Sequence, residues 1–369
     1  EVIGSQTEVG KSYNTAIVDI IDQNGNSVID LYAVKVELGT LTVMPENGVL
    51  PDGGVPSSGN GEGNAEGENI EWYKVVSSKD GNVYLRMSSY GDYTGEGWTD
   101  AVNYQGATAI SPLGYSALAL ANAGMLFDTI TISKMFTSAP YVLPYYVDAG
   151  TLGNINDAFV DKADQTYNLN YVLAGDLAEI IAKLPNASLP SQYRAEEELY
   201  RKHVHKTYLQ LPDYTKEEML KVIEKYELDA TDPEIILQVA SLVQGMVTYS
   251  KTFSYEGDIA VYFFNGAETG ICSHYSTAAT ALFRALGIPA RYVGGITGGV
   301  VAGEESIIAG ELHAWVEVYI DGVGWIQVEV TGSMDGSGGN GGAGGNGSGN
   351  NGAGNGGNGG GTFDFPFGE

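Results

Sequence analysis

Across Glu311-Leu312-His313-Ala314-Trp315-Val316-Glu317-Val318-Tyr319-Ile320 the chain alternates cleanly, and His313, Trp315, Glu317 and Tyr319 recur at every second position. Successive side chains of a strand leave on opposite sides, so this period predicts a strand with those four residues on one face. A turn at Asp321-Gly322-Val323-Gly324 leads into Trp325-Ile326-Gln327-Val328-Glu329-Val330, where Trp325, Gln327 and Glu329 share a face. Elsewhere the apolar spacing lengthens to three and four, the signature of helices: 216–226, and 232–247 with Ile235, Val239, Leu242 and Met246 on one side. Asp232-Pro233-Glu234 supplies a start signal, with Asp232 as N-cap and Pro233 at the first helical position. A further helix carries Tyr275, Ala279, Leu282 and Leu286 at the same spacing and is closed by Gly287-Ile288-Pro289.

The remaining pattern divides the chain. Residues 1–45 are strand-like, with Ala16-Ile17-Val18-Asp19-Ile20-Ile21-Asp22, a turn at Asn24-Gly25-Asn26 and a closing Leu38-Gly39-Thr40-Leu41-Thr42-Val43, and they are too short for an independent sandwich. Residues 46–70, mostly Gly, Pro, Ser, Asn and Glu, are expected to be a flexible linker. Residues 71–150 form a β-rich domain, with a hairpin of Trp72-Tyr73-Lys74-Val75-Val76 and Val83-Tyr84-Leu85-Arg86-Met87 about the turn Asp80-Gly81, and further strands near 129–134 and 141–147. A helical connecting region follows over 151–239, then a mixed core over 240–335. Residues 336–361 consist only of Gly, Asn, Ser and Ala, a flexible coil with a root-mean-square span of roughly 30 Å, ahead of a short tail at 362–369.

With 369 residues, 43% of them hydrophobic, the chain has material for two or three cored domains. Its 46 acidic and 18 basic residues give a formal charge of −28. A field of that sign repels phosphate backbones and anionic headgroups, which argues against nucleic acid and membrane surfaces as partners. No run approaches the ~18 apolar residues of a membrane span, and no signal peptide is present. The chain starts at Glu1, close to a strand-like pattern, and is read as a piece cut from a longer protein.

Candidate chemistry centres on Cys272, the one cysteine of the chain. A lone thiol forms no internal disulfide and no cysteine-cluster metal site; it is either a small buried residue or a nucleophile. It occupies the first turn of the helix that ends at Gly287. There the unpaired backbone N–H groups and the positive dipole end favour a thiolate and could hold an oxyanion. Position alone leaves the two readings open. For a histidine partner, the register of the 313–330 hairpin decides. A two-residue loop at Asp321-Gly322 puts Glu329 on the face opposite His313. A three-residue loop, 321–323, pairs Ile320 with Gly324, sets Trp315 opposite Glu329 and makes His313 its diagonal neighbour at ~7–8 Å or less. The glycines at 322 and 324 suit a bulged three-residue turn, and an odd-length loop is expected.

Four runs then carry a resemblance. Gly270-x-Cys272, Leu282-Phe283-Arg284-Ala285-Leu286-Gly287-Ile288-Pro289-Ala290-Arg291-Tyr292-Val293, His313-Ala314-Trp315-Val316-Glu317-Val318 and Gly324-Trp325-Ile326-Gln327-Val328-Glu329-Val330-Thr331 together look like the core of the transglutaminase-like superfamily, in its order and spacing. Tyr93-Thr94-Gly95-Glu96-Gly97-Trp98 is similar to the strand region that precedes this core in some bacterial members, and the Gly-Thr-Leu-Thr-Val run at 39–43 resembles the end of the immunoglobulin-like modules of bacterial surface proteins. The resemblance implies an α+β, papain-like core, a helix bearing the cysteine against an antiparallel sheet, behind an N-terminal β-rich domain. It implies a triad: Cys272 attacks an amide carbonyl, His313 takes its proton and returns one to the leaving amine, and Glu329 holds the imidazole. Members usually place an aspartate in an Asp-Pro-Thr run where this chain has Glu329-Val330-Thr331, and the extra methylene demands a shifted strand.

The implied reaction is acyl transfer through a thioester, with water as acceptor in a peptidase or amidase and an amine as acceptor in a cross-linking enzyme. It calls for no metal or organic cofactor. The expected substrate is a protein or peptide, cell-wall peptides among them, and the expected location is extracellular or at the cell surface. The rival reading is a surface binding or scaffold module with a weakened site. Among secondary candidates, Trp315 is a core aromatic or a wall of the substrate cleft, and Gln327 a donor to an oxyanion on the catalytic face. Trp325, Tyr275 and Tyr292 are expected to pack, His274 to lie at the surface or helix end, and His203 and His205 to be solvated, since no third ligand stands near them.

Overall fold

In a computed structural model the described residues are 70–99, 104, 106–136, 139–152, 166–173, 177–310 and 312–332, with short strands at 2–3, 10–13, 15–16, 40–43 and 61–64. Two larger antiparallel sheets, several two-stranded pairs and a group of helices make up the described part. The strands are β1 (Ile70–Ser77), β2 (Gly81–Tyr90), β3 (Asp128–Lys134), β4 (Leu143–Pro144), β5 (Thr166–Tyr171), β6 (Ala290–Val300), β7 (Glu305–Gly310), β8 (His313–Ile320) and β9 (Gly324–Val328). One sheet has the order β4-β2-β6-β8-β9 and the other β5-β3-β1-β7. Segments 71–150 and 290–328 thus contribute strands to both sheets. The fold is α+β.

Strands β1 and β2 exist where the alternation places them, but they form no hairpin. β1 pairs with β3 and β7, β2 with β4 and β6. The link between them, with Gly81 at φ +150°, crosses from one sheet to the other. The reason lies in burial. Tyr73 and Val75 of β1 pack with Val83 and Leu85 of β2 in a core between the sheets, which a hairpin would spread side by side. Of the run 141–147 only β4 is extended in a ladder, with Val147 bridging Tyr171. Within 46–70, read as linker, Gly61–Asn64 pairs antiparallel with Thr252–Tyr255. Within 1–45, Val2–Ile3 pairs with Thr15–Ala16 and Gly10–Tyr13 with Thr40–Val43. The run 17–22, the turn at 24–26 and residues 336–369 lie outside the described residues.

Helix α4 (Cys272–Ala285) lies on one face of the five-stranded sheet, and α1 (Asp213–Lys225), α2 (Ile235–Met246) and α3 (Ile259–Asn265) pack against α4. Residues 273–284 of α4 are all buried. A helix enclosed on every side needs small residues for close approach, and Ala278, Ala279 and Ala281 meet the sheet through Ala314, Val316, Val318, Ile326 and Val328. Gly287, at φ +82°, ends α4 through bonds from its N–H to Arg284 and from Ile288 N–H to Phe283. Asp232 does not cap α2. That helix starts three residues later, at Ile235, and Asp232 instead accepts from Glu234 N–H and from the Gln238 amide, closing the turn ahead of it.

Segment Tyr93–Trp98 buttresses α4. Tyr93 donates to Asp258, the N-cap of α3, and the Trp98 indole N–H donates to Thr277 Oγ1 at 2.9 Å. The far face of the sheet holds a buried charge cluster. Glu317 of β8 accepts from Arg86 of β2 at 3.0 Å, from Arg291 of β6 at 2.5 Å and from Tyr145.

Candidate active site

The path into α4 sets Cys272. Thr269–Gly270 runs parallel to Thr248–Tyr249, and Ser250 N–H donates to Gly270 O, so the chain arrives at the helix as a fixed strand. Position 270 is closely packed: a Cβ there would sit 3.1 Å from Tyr255 Oη. Ile271 N–H is capped by His274 Nδ1 at 3.2 Å. Cys272 and Ser273 are the first two residues of the helix, where backbone N–H groups lack intrahelical acceptors and can receive a developing oxyanion. Cys272 itself is half-buried, as a nucleophile that must meet substrate has to be.

His313 opens β8, beside Gly295 of β6. Its Nε2 lies 2.7 Å from Glu329 Oε2, and its other ring nitrogen is left for the Cys272 thiol, which hydrogen-bonds the ring. Burial disfavours the imidazolium. The charge of Glu329, its hydrogen bond and the bond to Cys272 outweigh that and hold His313 well above the ordinary histidine range. Glu329 responds in the opposite sense: burial pushes its carboxyl up, but His313 and the backbone N–H of Thr331 bring it below the usual range.

The register that makes this contact follows from the loop. Ile320 pairs with Gly324, Tyr319 with Trp325, and Val316 with Val328, across the odd-length turn 321–323. Gly322 and Gly324 take φ +75° and +119°, which only glycine adopts without strain. Glu329 follows the last ladder residue, free of the strand geometry. Its Oε1 curls back to accept from Val330 N–H at 2.9 Å and Thr331 N–H at 2.8 Å, while Oε2 also accepts from Tyr84 Oη at 2.9 Å. The extra methylene is thus taken up by the curl of the side chain instead of a shift of the strand. The Gln244 amide of α2 fixes the Glu329 carbonyl at 3.1 Å.

Cys272, His313 and Glu329 are therefore brought together; the two residues assigned to the cleft are not. Trp315 is fully buried behind His313, its indole N–H on Tyr145 Oη at 2.8 Å, so it supports the imidazole and cannot touch a substrate. Gln327 pairs directly with Glu317, on the face turned from α4, and its amide nitrogen is buried without a hydrogen-bond partner. It shares the His313 face but pairs with Glu317, four residues along β8 from His313, and an oxyanion role does not fit. Trp325, Tyr275 and Tyr292 pack as expected. His274 is at the helix end but not at the surface: it is stacked on Tyr255 with ring centres 3.8 Å apart, and burial lowers its pKa to about 3. His205 pairs with Asp321, and His203 packs among Tyr104, Tyr200 and Tyr208. The sequence reading did not single out Tyr84, which reaches the triad from β2. Its only prior signal was alternation, which puts it with Arg86 on the side opposite Val83 and Leu85.

Residues 221–330 match the Transglutaminase-like superfamily. The chain carries a transglutaminase-like domain. The match runs from within α1 to the residue after Glu329 and so encloses Cys272, His313 and Glu329. Over 143 residues the chain is 30% identical to the protein named Uncharacterized protein YebA of Bacillus subtilis, covering 34% of this chain and 19% of that one. Over 72 residues it is 39% identical to a Protein-glutamine gamma-glutamyltransferase of Pseudomonas aeruginosa, covering 19% of this chain and 11% of that one. The aligned part is thus less than a fifth of either curated relative. Among solved structures, the periplasmic domain of TgpA from Pseudomonas aeruginosa superposes with a TM-score of 0.52 at 19% identity, covering 71% of this chain and 88% of that domain. The same domain bound to ethylmercury gives a TM-score of 0.51 at 18% identity, covering 71% and 90%. At such identity the likeness is one of fold, and at 71% of the chain it extends well beyond the 110 or so residues of the superfamily match.

Proposed function

We propose that the transglutaminase-like domain transfers acyl groups from amides through a thioester on Cys272. The observation that carries this is the hydrogen-bonded line from the Cys272 thiol through His313 to Glu329 at 2.7 Å, with His313 held in its charged form. With the thiol's proton already carried by His313 in that charged form, the sulfur attacks the carbonyl carbon, while the first-turn N–H groups receive the oxyanion. The C–N bond then breaks as His313 returns the proton to the leaving nitrogen, which departs as ammonia or an amine. An acceptor attacks the thioester, His313 takes its proton, and the sulfur leaves. Glu329 keeps the imidazole oriented and stabilises its charge throughout. The steps draw on these side chains and on no metal or organic cofactor.

The resemblance to the Pseudomonas protein-glutamine gamma-glutamyltransferase supports a protein glutamine as acyl donor, with water or an amine as acceptor. Peptides, including those of the cell wall, are the substrate class. The likeness to a periplasmic domain supports a location outside the cytoplasm; no helix among the described residues is long and apolar enough to cross a membrane. Incorporation of a fluorescent primary amine into a glutamine-rich protein, abolished in Cys272→Ala, is the expected result. Ammonia release without incorporation would make the acceptor water. If neither occurs and iodoacetamide labels Cys272 no faster than a peptide thiol at pH 7, the domain is a binding module and the enzyme reading fails.

A further inference from the structure

Glu329 Oε2 is shared. It takes one hydrogen bond from His313 Nε2 at 2.7 Å and a second from Tyr84 Oη at 2.9 Å. Tyr84 belongs to β2, which is separated from β8 by β6, and its hydroxyl reaches over that intervening strand. The reach is possible because of Gly295, the β6 residue opposite His313. A Cβ on Gly295 would lie 2.5 Å from Trp315 Cη2, so the absence of a side chain leaves room for the Trp315 ring, against whose edge Tyr84 packs at 5.2 Å between ring centres. The Tyr84 ring is also 6.3 Å from the His313 ring. Glu329 lies beyond the end of its strand, where the ladder no longer fixes it. Its Oε1 is anchored to its own backbone, and a carboxylate held at one oxygen can still swing the other. The Tyr84 hydroxyl closes that freedom.

We propose that Tyr84 is a positioning residue of the triad, whose hydroxyl keeps Glu329 Oε2 on His313. It touches neither the sulfur nor a substrate and acts through Glu329. A conventional aspartate, one methylene shorter, would need no such hold; in this chain the longer carboxylate and the tyrosine form a pair. The inference rests on the reading of Cys272, His313 and Glu329 as a working triad, so its test must separate the two.

The rate of Cys272 alkylation by iodoacetamide does so without any substrate. At pH 6 reactivity requires the thiolate–imidazolium pair, whereas at pH 10 the thiolate forms without help. Tyr84→Phe, which keeps the ring on Trp315, is expected to slow alkylation about tenfold at pH 6, the order of one hydrogen bond to a charged group, and to leave the rate at pH 10 unchanged. In a Glu329→Gln background the same substitution should change nothing. An unchanged rate at pH 6, an equal loss at both pH values, or the same loss in the Glu329→Gln background would overturn the inference. Should the phenylalanine variant not melt like the parent, Tyr84→Leu repeats the series. If wild-type Cys272 reacts no faster at pH 6 than in His313→Ala, it is the triad that fails, and the two failures are thereby distinguished.

Discussion

Ile320 pairs with Gly324 across a loop of three residues, and that odd number sends Glu329 to the side of His313. In a strand, a slip of one residue exchanges the two faces completely. A two-residue turn would therefore have buried Glu329 among the alanines of α4 and turned Val330 toward the imidazole. Glu197 holds the loop in its register: its Oε1 accepts from Gly322 N–H at 3.0 Å and from Tyr319 Oη at 2.9 Å. The turn is thus tied to the helical region at Arg194–Thr207 as well as to its own glycines.

The charge of Glu329 raises His313, so its removal should move a pH profile. In Glu329→Gln the attraction is lost, burial alone acts, and the histidine falls toward or below its ordinary 6.5. Activity that needs the imidazolium ends as pH rises through that value, so the alkaline limb of kcat/KM should shift to lower pH. The rate at the optimum should drop by about 10²–10⁴-fold, the scale seen when the orienting acid of a triad is neutralised. A limb that stays in place would show that another group sets it. Stability carries the same sign. The contribution of a raised histidine is complete below 6.5 and is lost as pH rises through its folded value.

Gly295→Ala should unfold the junction between β2 and β6. The added Cβ would stand 2.3 Å from Leu85 O and 2.5 Å from Trp315 Cη2, at a bulge where the β6 register shifts between Gly294 and Gly295. Backbone cannot yield as a flexible side chain does, so a loss of about 1–3 kcal/mol or more is expected, read as a lower midpoint in urea with the slope unchanged. Because Trp315 backs His313, the folded fraction should also lose Cys272 reactivity. A variant as stable and as reactive as the parent would refute the close packing.

Glu317 is fully buried between two guanidinium groups. Burial works to raise its carboxyl, and Arg291 and Arg86 outweigh this and keep it below its ordinary 4.5. Glu317→Gln preserves shape but strips the arginines of their counter-charge, and breaking such a buried pair costs about 3–5 kcal/mol. Since the carboxyl is depressed in the fold, its contribution is present above 4.5 and is lost as pH falls through the folded value. Acid unfolding of the wild type should therefore begin below 4.5, and Glu317→Gln should lack that dependence; chemical denaturation across pH reads both.

The cluster of Cys272, His313 and Glu329 was legible because each member sits on a strong local pattern: a helix start for Cys272, a clean alternation for His313, and a hairpin whose loop glycines fixed the register of Glu329. What escaped depends on contacts no local pattern encodes. Tyr84 lies 245 positions from Glu329, and the cluster of Arg86, Arg291 and Glu317 needs the strand order β2-β6-β8 before its members meet. The β1–β2 hairpin failed for a related reason, since both strands had more apolar surface to bury face to face than side by side. His274 lies at the helix end as expected, but it is covered by Thr252–Tyr255, a strand outside its own helix. Gln327 and Trp315 show the limit of face assignment: sharing a face with a catalytic residue is not the same as facing its cleft.

Trp98 tests how the segment ahead of the core supports the nucleophile. Its indole N–H donates to Thr277 Oγ1 inside α4, and its ring stacks on Tyr292 at 5.7 Å with Arg284 over it at 5.0 Å. Trp98→Phe keeps most of the stacking but leaves the buried Thr277 hydroxyl without this donor. An orphaned buried polar group costs about 1–3 kcal/mol, whereas removing both partners together can be nearly neutral. Thr277→Val added to Trp98→Phe should therefore restore part of the stability that the single substitution loses, a non-additivity of about 0.5–3 kcal/mol expected only for residues in contact. Urea midpoints of the two single variants and the double variant measure it. Strict additivity would mean that the Tyr93–Trp98 segment packs against α4 without gripping it, and that Cys272 owes its position to the sheet alone.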